Sequence, residues 1–257
     1  MTLSGTFVVA AGGVTGGDHR RAERDGQDGY AVVVSESVVA VVVTDGCSSG
    51  KRSEIGARVG ASWIAAIVEQ TFQEPREQDS HEETWARGAA GRVAEELLRR
   101  LEVLARSFDP AGHVHSSHVG DALLFGFLAA VVTKDVAIVF GIGDGTFVVG
   151  DAVTVIDPGP NNAPPYIAYG LLREPIEPVV HFVGRAADVA MIAVATDGVS
   201  GIEHGELVEL AADARYARNP SLLRKRLIVR SDAGCFSDDA TVGVVQRRPA
   251  ADSSGAS

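Results

Sequence analysis

The sequence predicts an α+β fold in a single domain. Amphipathic helical patterns fall in two blocks and β-branched runs in others, without the strand–helix alternation of a parallel sheet. The apolar runs are short, rich in valine and bounded by turn residues, the pattern of buried strands. Several are joined by pairs such as Lys134-Asp135 and Gly150-Asp151, where hairpin turns belong. A chain of 257 residues can enclose a sizeable core. No linker or fixed-period repeat divides it, so residues 1–248 are expected to form one domain and 249–257, small and polar, a disordered tail.

In chain order, 4–11 reads as a first strand and 12–29 as a polar, glycine-containing loop. Tyr30–Val34 and Val38–Thr44 are strands about a Ser35-Glu36-Ser37 turn. Ser53, Glu54 and the apolar period behind them predict a helix over 53–72. A polar connection through Pro75 leads to a second helix over 81–107, with Val93, Leu97, Leu98, Leu101 and Leu104 at helical spacing. Asp109-Pro110 and the His113/His115/His118 segment read as loop. Strands follow over 123–133, 136–142, 147–149 and 153–156, then a proline-rich excursion from Pro158 to Pro165. Strands at 178–183 and 189–196 precede helices at 204–214 and 219–229, the second with Asn219 as N-cap and Pro220 in its first turn. Ala240–Gln246 is the last strand.

Hydrophobic residues at 46% and charged residues at 22% suit a water-soluble globular domain. No apolar run is long enough to span a bilayer, so no membrane partner is expected. No basic region precedes the first apolar stretch, so no secretory signal is expected. Two cysteines make no disulfide framework and suit a reducing cytoplasm. The formal net charge of −11 argues against a nucleic-acid partner.

One phrase recurs. Val41-Val42-Val43-Thr44-Asp45-Gly46 returns as Ala193-Val194-Ala195-Thr196-Asp197-Gly198, with a looser form in Val139-Phe140-Gly141-Ile142-Gly143-Asp144-Gly145. Each delivers a carboxylate at the end of a strand, and the glycine is expected to let the backbone turn behind it. Asp-Gly is also a common turn dipeptide. Strands lying side by side would bring these acids to one sheet edge, where a cation is the natural partner of clustered carboxylates.

Thr44-Asp45-Gly46, Gly143-Asp144-Gly145, Thr196-Asp197-Gly198 and Asp238-Asp239-Ala240-Thr241-Val242 occur in an order that resembles the metal-dependent protein phosphatases, the PP2C family. Gly16-Gly17-Asp18-His19…Gln27-Asp28, Asp45 through Gly50 and Ser53 through Ala57 are similar to a bacterial subgroup. The resemblance spans residues 17 to about 246. It implies a four-layer α-β-β-α sandwich, two antiparallel central sheets flanked by helices. It also implies a site in which Asp45 bridges two metal ions and the Gly46 carbonyl binds one of them. Asp197 and Asp238 complete the first ion, and Asp28 acts through metal-bound water. Asp144 stands where some family members bind a third, weaker ion, which Asp197 would share.

The donors are all oxygen, which suits Mn²⁺ or Mg²⁺ rather than zinc. Two such ions can hold a water between them and lower its pKa for in-line attack on phosphorus. Three departures stand out. Gln27 replaces the glutamate usual before the first acid, Glu23 stands where better-known members carry a phosphate-binding arginine, and Cys47 stands where some carry a histidine acid. His19, Arg20 and Arg24 are candidates to hold the phosphate, and spacing leaves open which. His19 is equally a candidate acid and an exposed loop histidine. Cys47 and Cys235 read as ordinary semi-buried thiols, though both fall near the expected metal centre. His113, His115 and His118 read as a solvated loop without a nearby acid, and Trp63 and Trp85 as packing residues. The stretch from Asp157 to Val180 stands where the family carries its variable flap and is expected to wall the substrate groove.

The leading expectation is a phosphatase acting on phosphoserine or phosphothreonine in proteins, opposite a cognate kinase. The second is a catalytically weak module that binds a phosphoprotein or kinase, supported by Gln27, Cys47 and the absent arginine. The third is hydrolysis of a small phosphate ester or nucleotide.

Overall fold

The computed structural model describes residues 2–74 and 81–249. The rest of the expected connection through Pro75, and the tail from residue 250, lie outside the described residues. The chain runs α1 (Leu3–Thr6), β1 (Phe7–Val14), α2 (Gly17–Arg21), β2 (Gly29–Val34), β3 (Val39–Gly46), α3 (Ser53–Gln73), α4 (Glu82–Ser107) and α5 (Ser116–Ala122). It continues through β4 (Phe125–Val132), β5 (Val136–Ile142), β6 (Gly145–Val149), β7 (Ala152–Ile156), β8 (Val179–Arg185), β9 (Met191–Ala195), α6 (His204–Ala211), α7 (Leu222–Asp232) and β10 (Ala240–Arg247).

The strands make two five-stranded antiparallel sheets, ordered β1-β10-β9-β6-β7 and β2-β3-β4-β5-β8. Between them lies a core of Val39, Val41, Val43, Leu128, Val139, Val194 and their neighbours. The alternate residues of β3, Ala40 and Val42, face outward into a second core under α3 and α4. A third core joins the other sheet to α6 and α7 through Leu210, Tyr216, Leu223 and Leu227. The result is the expected α-β-β-α sandwich. Strand β3 is buried on both faces, which is why its sequence is a continuous apolar run rather than an alternating one. Helix α4 presents Ala86, Ala90, Val93, Leu97, Leu101 and Ala105 as one buried stripe. Trp85 packs edge-on to Phe72 at 5.4 Å, and Trp63 also rests on this core, the packing roles expected of both.

Four elements differ from the sequence expectation. Residues 3–6 form a helical turn, because the Thr2 carbonyl accepts from the Gly5 and Thr6 amides; the first strand starts at Phe7. The supposed loop 12–29 carries β1 as far as Val14 and then α2, whose Arg20 amide donates to Gly16. The histidine segment ends in α5 rather than in loop. Helix α7 begins at Leu222, since Asn219 accepts from the Ser221 hydroxyl and from the Leu222 amide in a turn before the helix.

Candidate active site

Pairing registers fix where the acids fall. Gly29 pairs with Thr44, Gly46 with Phe125, and Phe127 with Ile142, so Asp28, Asp45 and Asp144 emerge at one end of their sheet. In the other sheet Ala195 pairs with Val242 and with Thr146, which puts Asp197, Asp238 and Asp239 at that same end. Three separate strand-end phrases and the start of β10 therefore converge.

Convergence of like charges is visible in the acids' proton affinities. Asp45 is held well above the ordinary carboxylate range, first by burial and then by the charges of Asp28, Asp197 and Asp144. Asp28 is raised by burial and by Asp239, against hydrogen bonds from Thr196 and Thr241 that favour its charge. Burial and Asp197 lift Asp144 to about 6. Asp238 is also raised, by partial burial and then by Asp197 and Asp239, against a bond from the Asp239 amide. The cluster is an all-oxygen donor set with an excess of negative charge, which is the environment a hard divalent cation fits.

The threonines and glycines of the repeated phrase have roles of their own. Thr196 donates to Asp28 at 2.8 Å and accepts from the Thr241 amide at 3.0 Å, linking the two sheets at the acid cluster. Thr44 donates instead to the Ala57 carbonyl of α3 at 2.9 Å. Gly46 and Gly198 are not at positive φ, contrary to the expectation of a sharp glycine turn; what they supply is space. A Cβ on Gly46 would sit 2.6 Å from the Gln27 carbonyl, and one on Gly198 would collide with the Asp239 carbonyl. Only Gly145 of the three needs glycine's conformational freedom, at φ 132°.

Asp239, to which the sequence reading gives no role of its own in the site, is buried and fully engaged. It accepts from the Gly16 amide (2.7 Å), the Gln27 amide (2.5 Å) and His19 Nδ1 (2.9 Å), tying the segments before β2 to the start of β10. His19 is thus not an exposed loop residue; it is 8% exposed and held by Asp239, with Asp238 at 4.0 Å. Arg20, one of the three candidates for the phosphate, directs its guanidinium to α7, through the Ser231 carbonyl at 3.2 Å and Asp232 at 3.8 Å. Arg24 donates to the Gly50 carbonyl at 3.0 Å, on the loop that follows Gly46. Gln27 stands where the family usually carries a glutamate. Its side chain turns into the loop behind Gly46, donating to Ser53 at 2.6 Å and Gly50 at 3.1 Å.

Cys47 and Cys235 are free thiols. Burial pushes Cys47 up, but hydrogen bonds from Ser49 and Tyr166 outweigh it and leave its proton affinity below normal. Tyr166 comes from the stretch expected to act as a flap. Burial, its bond to Cys47 and the charges of Asp45 and Asp144 raise its phenol well above normal, so this stretch does stand beside the acids. Ile167 and Ala168 anchor it in the core under α4.

Two cavities flank the acid cluster. One, of about 440 Å³, is lined by Asp28, Asp239, Tyr30, Arg58 and Arg224. The other, of about 340 Å³, is lined by Asp144, Asp197, Ser200 and His204. Arg58 spends one amino group on the Gly26 carbonyl at 2.8 Å, and the Arg224 guanidinium makes no hydrogen bond or ion pair among the described residues. Neither arginine was singled out from sequence, because each is brought to the site by a helix that begins elsewhere.

The comparisons with known proteins agree with this geometry. The family model for protein phosphatase 2C matches residues 15–225. The chain belongs to that family. It is accordingly a metal-dependent protein phosphatase that uses Mn²⁺ or Mg²⁺. No curated protein matches it by sequence. Among solved structures, the serine/threonine phosphatase Stp1 from Staphylococcus aureus superposes with a TM-score of 0.63 at 13% identity, covering 96% of this chain and 97% of that one. PstP from Mycobacterium tuberculosis gives 0.58 at 13% identity, covering 95% and 100%. The catalytic domain of PstP in complex with two manganese ions gives 0.55 at 14%, covering 95% and 99%. At such identities these likenesses establish the shared fold. Among the described residues no helix is long and apolar enough to cross a membrane.

Proposed function

We propose that this phosphatase hydrolyses phosphoserine and phosphothreonine in proteins, with Asp45, the Gly46 carbonyl, Asp197 and Asp238 holding two divalent cations. The observation that carries the reading is the convergence of acids from both sheets on one end of the sandwich, where their charges raise one another's proton affinity. When bound, the cations supply Lewis acidity, activating a water for in-line attack and taking up charge on the phosphoryl oxygens. Asp28 is aimed by its bond from Thr196 and would act through the metal-bound water, as an acceptor that orients it. Asp144, shared with Asp197, is the place for a third and weaker ion. Asp239 and His19 act by position, fixing the loops that carry Asp28 and Asp238.

With Arg20 committed elsewhere, the phosphate's counter-charge is assigned to Arg58 and Arg224, in the cavity that Asp28 also lines. Arg24 lies one loop away. The flap stretch brings Tyr166 against Cys47, beside Asp45 and Asp144. Among the three departures that favoured a weak binding module, Gln27 loses its force, since its side chain is directed away from the acids. The cellular setting consistent with this chemistry is a cytoplasmic circuit opposite a protein kinase.

The test is hydrolysis of p-nitrophenyl phosphate and of a phosphothreonine peptide under Mn²⁺ and Mg²⁺ titration, with EDTA and Asp197→Ala as controls. Metal-dependent turnover abolished by the substitution is expected, with the peptide preferred. Arg58→Ala and Arg224→Ala should each raise KM for the peptide about tenfold, the order of one lost charge-assisted contact, with kcat nearly unchanged. A folded, metal-loaded protein inert on both substrates would replace this reading with the binding module.

A further inference from the structure

Away from the carboxylate cluster, the segment between α4 and α5 gathers a different set of donors. Asp109 follows directly on the end of α4 and shapes the turn there: Oδ1 accepts from the Ala111 amide at 3.0 Å and Oδ2 from the His113 amide at 3.1 Å. These bonds hold the carboxylate in place, only 15% exposed. On the same Oδ2 converge His113 Nδ1 at 3.0 Å and His115 Nε2 at 3.0 Å. The sequence reading of these histidines as a solvated loop rested on the lack of a nearby acid, and the fold supplies that acid.

We infer that Asp109, His113 and His115 form a second metal site, for a zinc-like transition ion, separate from the carboxylate centre. The three candidate ligand atoms lie within 4.8 Å of one another. A tetrahedral ion with bonds of about 2.0–2.2 Å sets its ligand atoms roughly 3.3 Å apart, so two of the three edges already have nearly the required length. A cation entering between them takes the lone pairs of His113 Nδ1 and His115 Nε2, each ring's proton passing through solvent to its other nitrogen, and both side chains are exposed enough to turn. His118 adds an independent sign. Its ring stands 5.3 Å from that of His115 and 6.0 Å from that of Phe108, and its Nδ1 is buried without a hydrogen-bond partner. A nitrogen atom left in that state beside the cluster is a ready further donor.

The chemistry separates the two sites. A nitrogen-rich set selects zinc, copper or nickel over Mg²⁺, whereas the all-oxygen cluster accepts the hard ions. The second site also has a physical route to the first. It fixes the start of α5, whose far end accepts the Arg52 amide at the Asp121 carbonyl (2.7 Å) and the Lys51 ammonium at the Asp121 carboxylate (3.2 Å). The Leu124 carbonyl just beyond accepts the Cys47 amide at 3.0 Å. The loop that follows Gly46 is therefore held by the element that this ion would anchor.

The experiment is calorimetric titration of the full chain with Zn²⁺ under saturating Mg²⁺, beside a His113→Gln/His115→Gln variant. Cobalt(II) replaces zinc in a parallel optical titration that reports the ligand field. The wild type should take up one Zn²⁺ at least about a hundredfold more tightly than the variant. Loss of a direct ligand should exceed the 10–100-fold that a hydrogen-bonded neighbour of a ligand is worth. The two histidine side chains are 71% and 49% exposed, so the variant should melt like the wild type and keep its Mg²⁺-dependent hydrolysis. Should the variant be unfolded, Asp109→Asn, which keeps an acceptor for the turn amides, replaces it and should lose the zinc equally. Equal zinc uptake by wild type and variant, or cobalt spectra that do not change between them, would overturn the site.

Discussion

The two Thr-Asp-Gly corners share a phrase and differ in almost everything around it. At the first, Thr44 fastens β3 to α3, its own covering helix, and Asp45 lies amid three other carboxylates. At the second, Thr196 reaches across to Asp28 of the opposite sheet, and Asp197 opens a turn of 3₁₀ helix. Gly46 makes room for the backbone of Gln27, and Gly198 for the backbone of Asp239. The phrase places an acid at a strand end; the neighbour brought up by the topology decides whether that corner binds its own layer or joins the two.

Substituting the acids themselves gives the largest expected effects. Asp45→Asn and Asp197→Asn should each lower metal-dependent turnover by at least about 10²–10³-fold, the scale of removing one charge-stabilising group from an active site. Their metal-free proteins should part company: Asp45→Asn relieves buried repulsion and should raise the denaturation midpoint, while Asp197→Asn should raise it less. Equal midpoints would mean that the crowding at Asp45 is not the difference between the corners.

Steric contrast comes next. Gly198→Ala forces side chain against backbone and should destabilise by about 3 kcal/mol in urea unfolding, with Gly46→Ala about 1 kcal/mol milder. Below that stand the threonines. Thr196→Val removes a bond to a carboxylate and should remove about 2 kcal/mol of metal-loaded stability, against about 1 kcal/mol for Thr44→Val, whose acceptor is neutral. A larger loss at Thr44 would reverse the assignment of the cross-sheet link.

The smallest expected effect is a pH dependence. Asp144 rises from an ordinary 3.8 to about 6 on folding, so between those values the folded chain binds more protons than the unfolded one. Metal-free stability from this group is therefore highest below about 4 and declines as pH climbs towards 6, by on the order of 1 kcal/mol once solvent screening is allowed for. Asp144→Asn should flatten that part of the profile in melts at graded pH, and bound divalent cation should offset the decline. An unchanged slope in the variant would assign the titration to another acid.

Much of this architecture was legible in the chain because it is written locally. Short valine-rich runs bounded by turn residues gave the strands, the Val93–Leu101 stripe gave α4, and an acid at the end of each apolar run gave the cluster. What was hidden depends on separation in sequence. Asp239 meets Gly16 across 223 positions, and nothing near either residue announces the bond. Arg58 and Arg224 reach the cavity only because α3 and α7 cover different sheets. Gln27 could be placed beside Asp28 by counting, but alternation along the backbone sends its side chain the other way, into the 47–53 loop. Even the short-range pairing of Asp109 with two histidines escaped, since it requires the tight turn that the aspartate itself makes.

The path of the chain between its layers carries one further consequence. It changes sheet between β1 and β2, between β5 and β6 and between β7 and β8 at the acidic end, and only between β8 and β9 at the other. The acids are thus mounted on two slabs hinged at their own rim. Any sliding of one slab past the other registers first as altered spacing among carboxylates, and a cation held as proposed, by Asp45 of one slab and Asp197 of the other, would resist that shear. Metal occupancy and the mechanical stiffness of the sandwich would then rise and fall together.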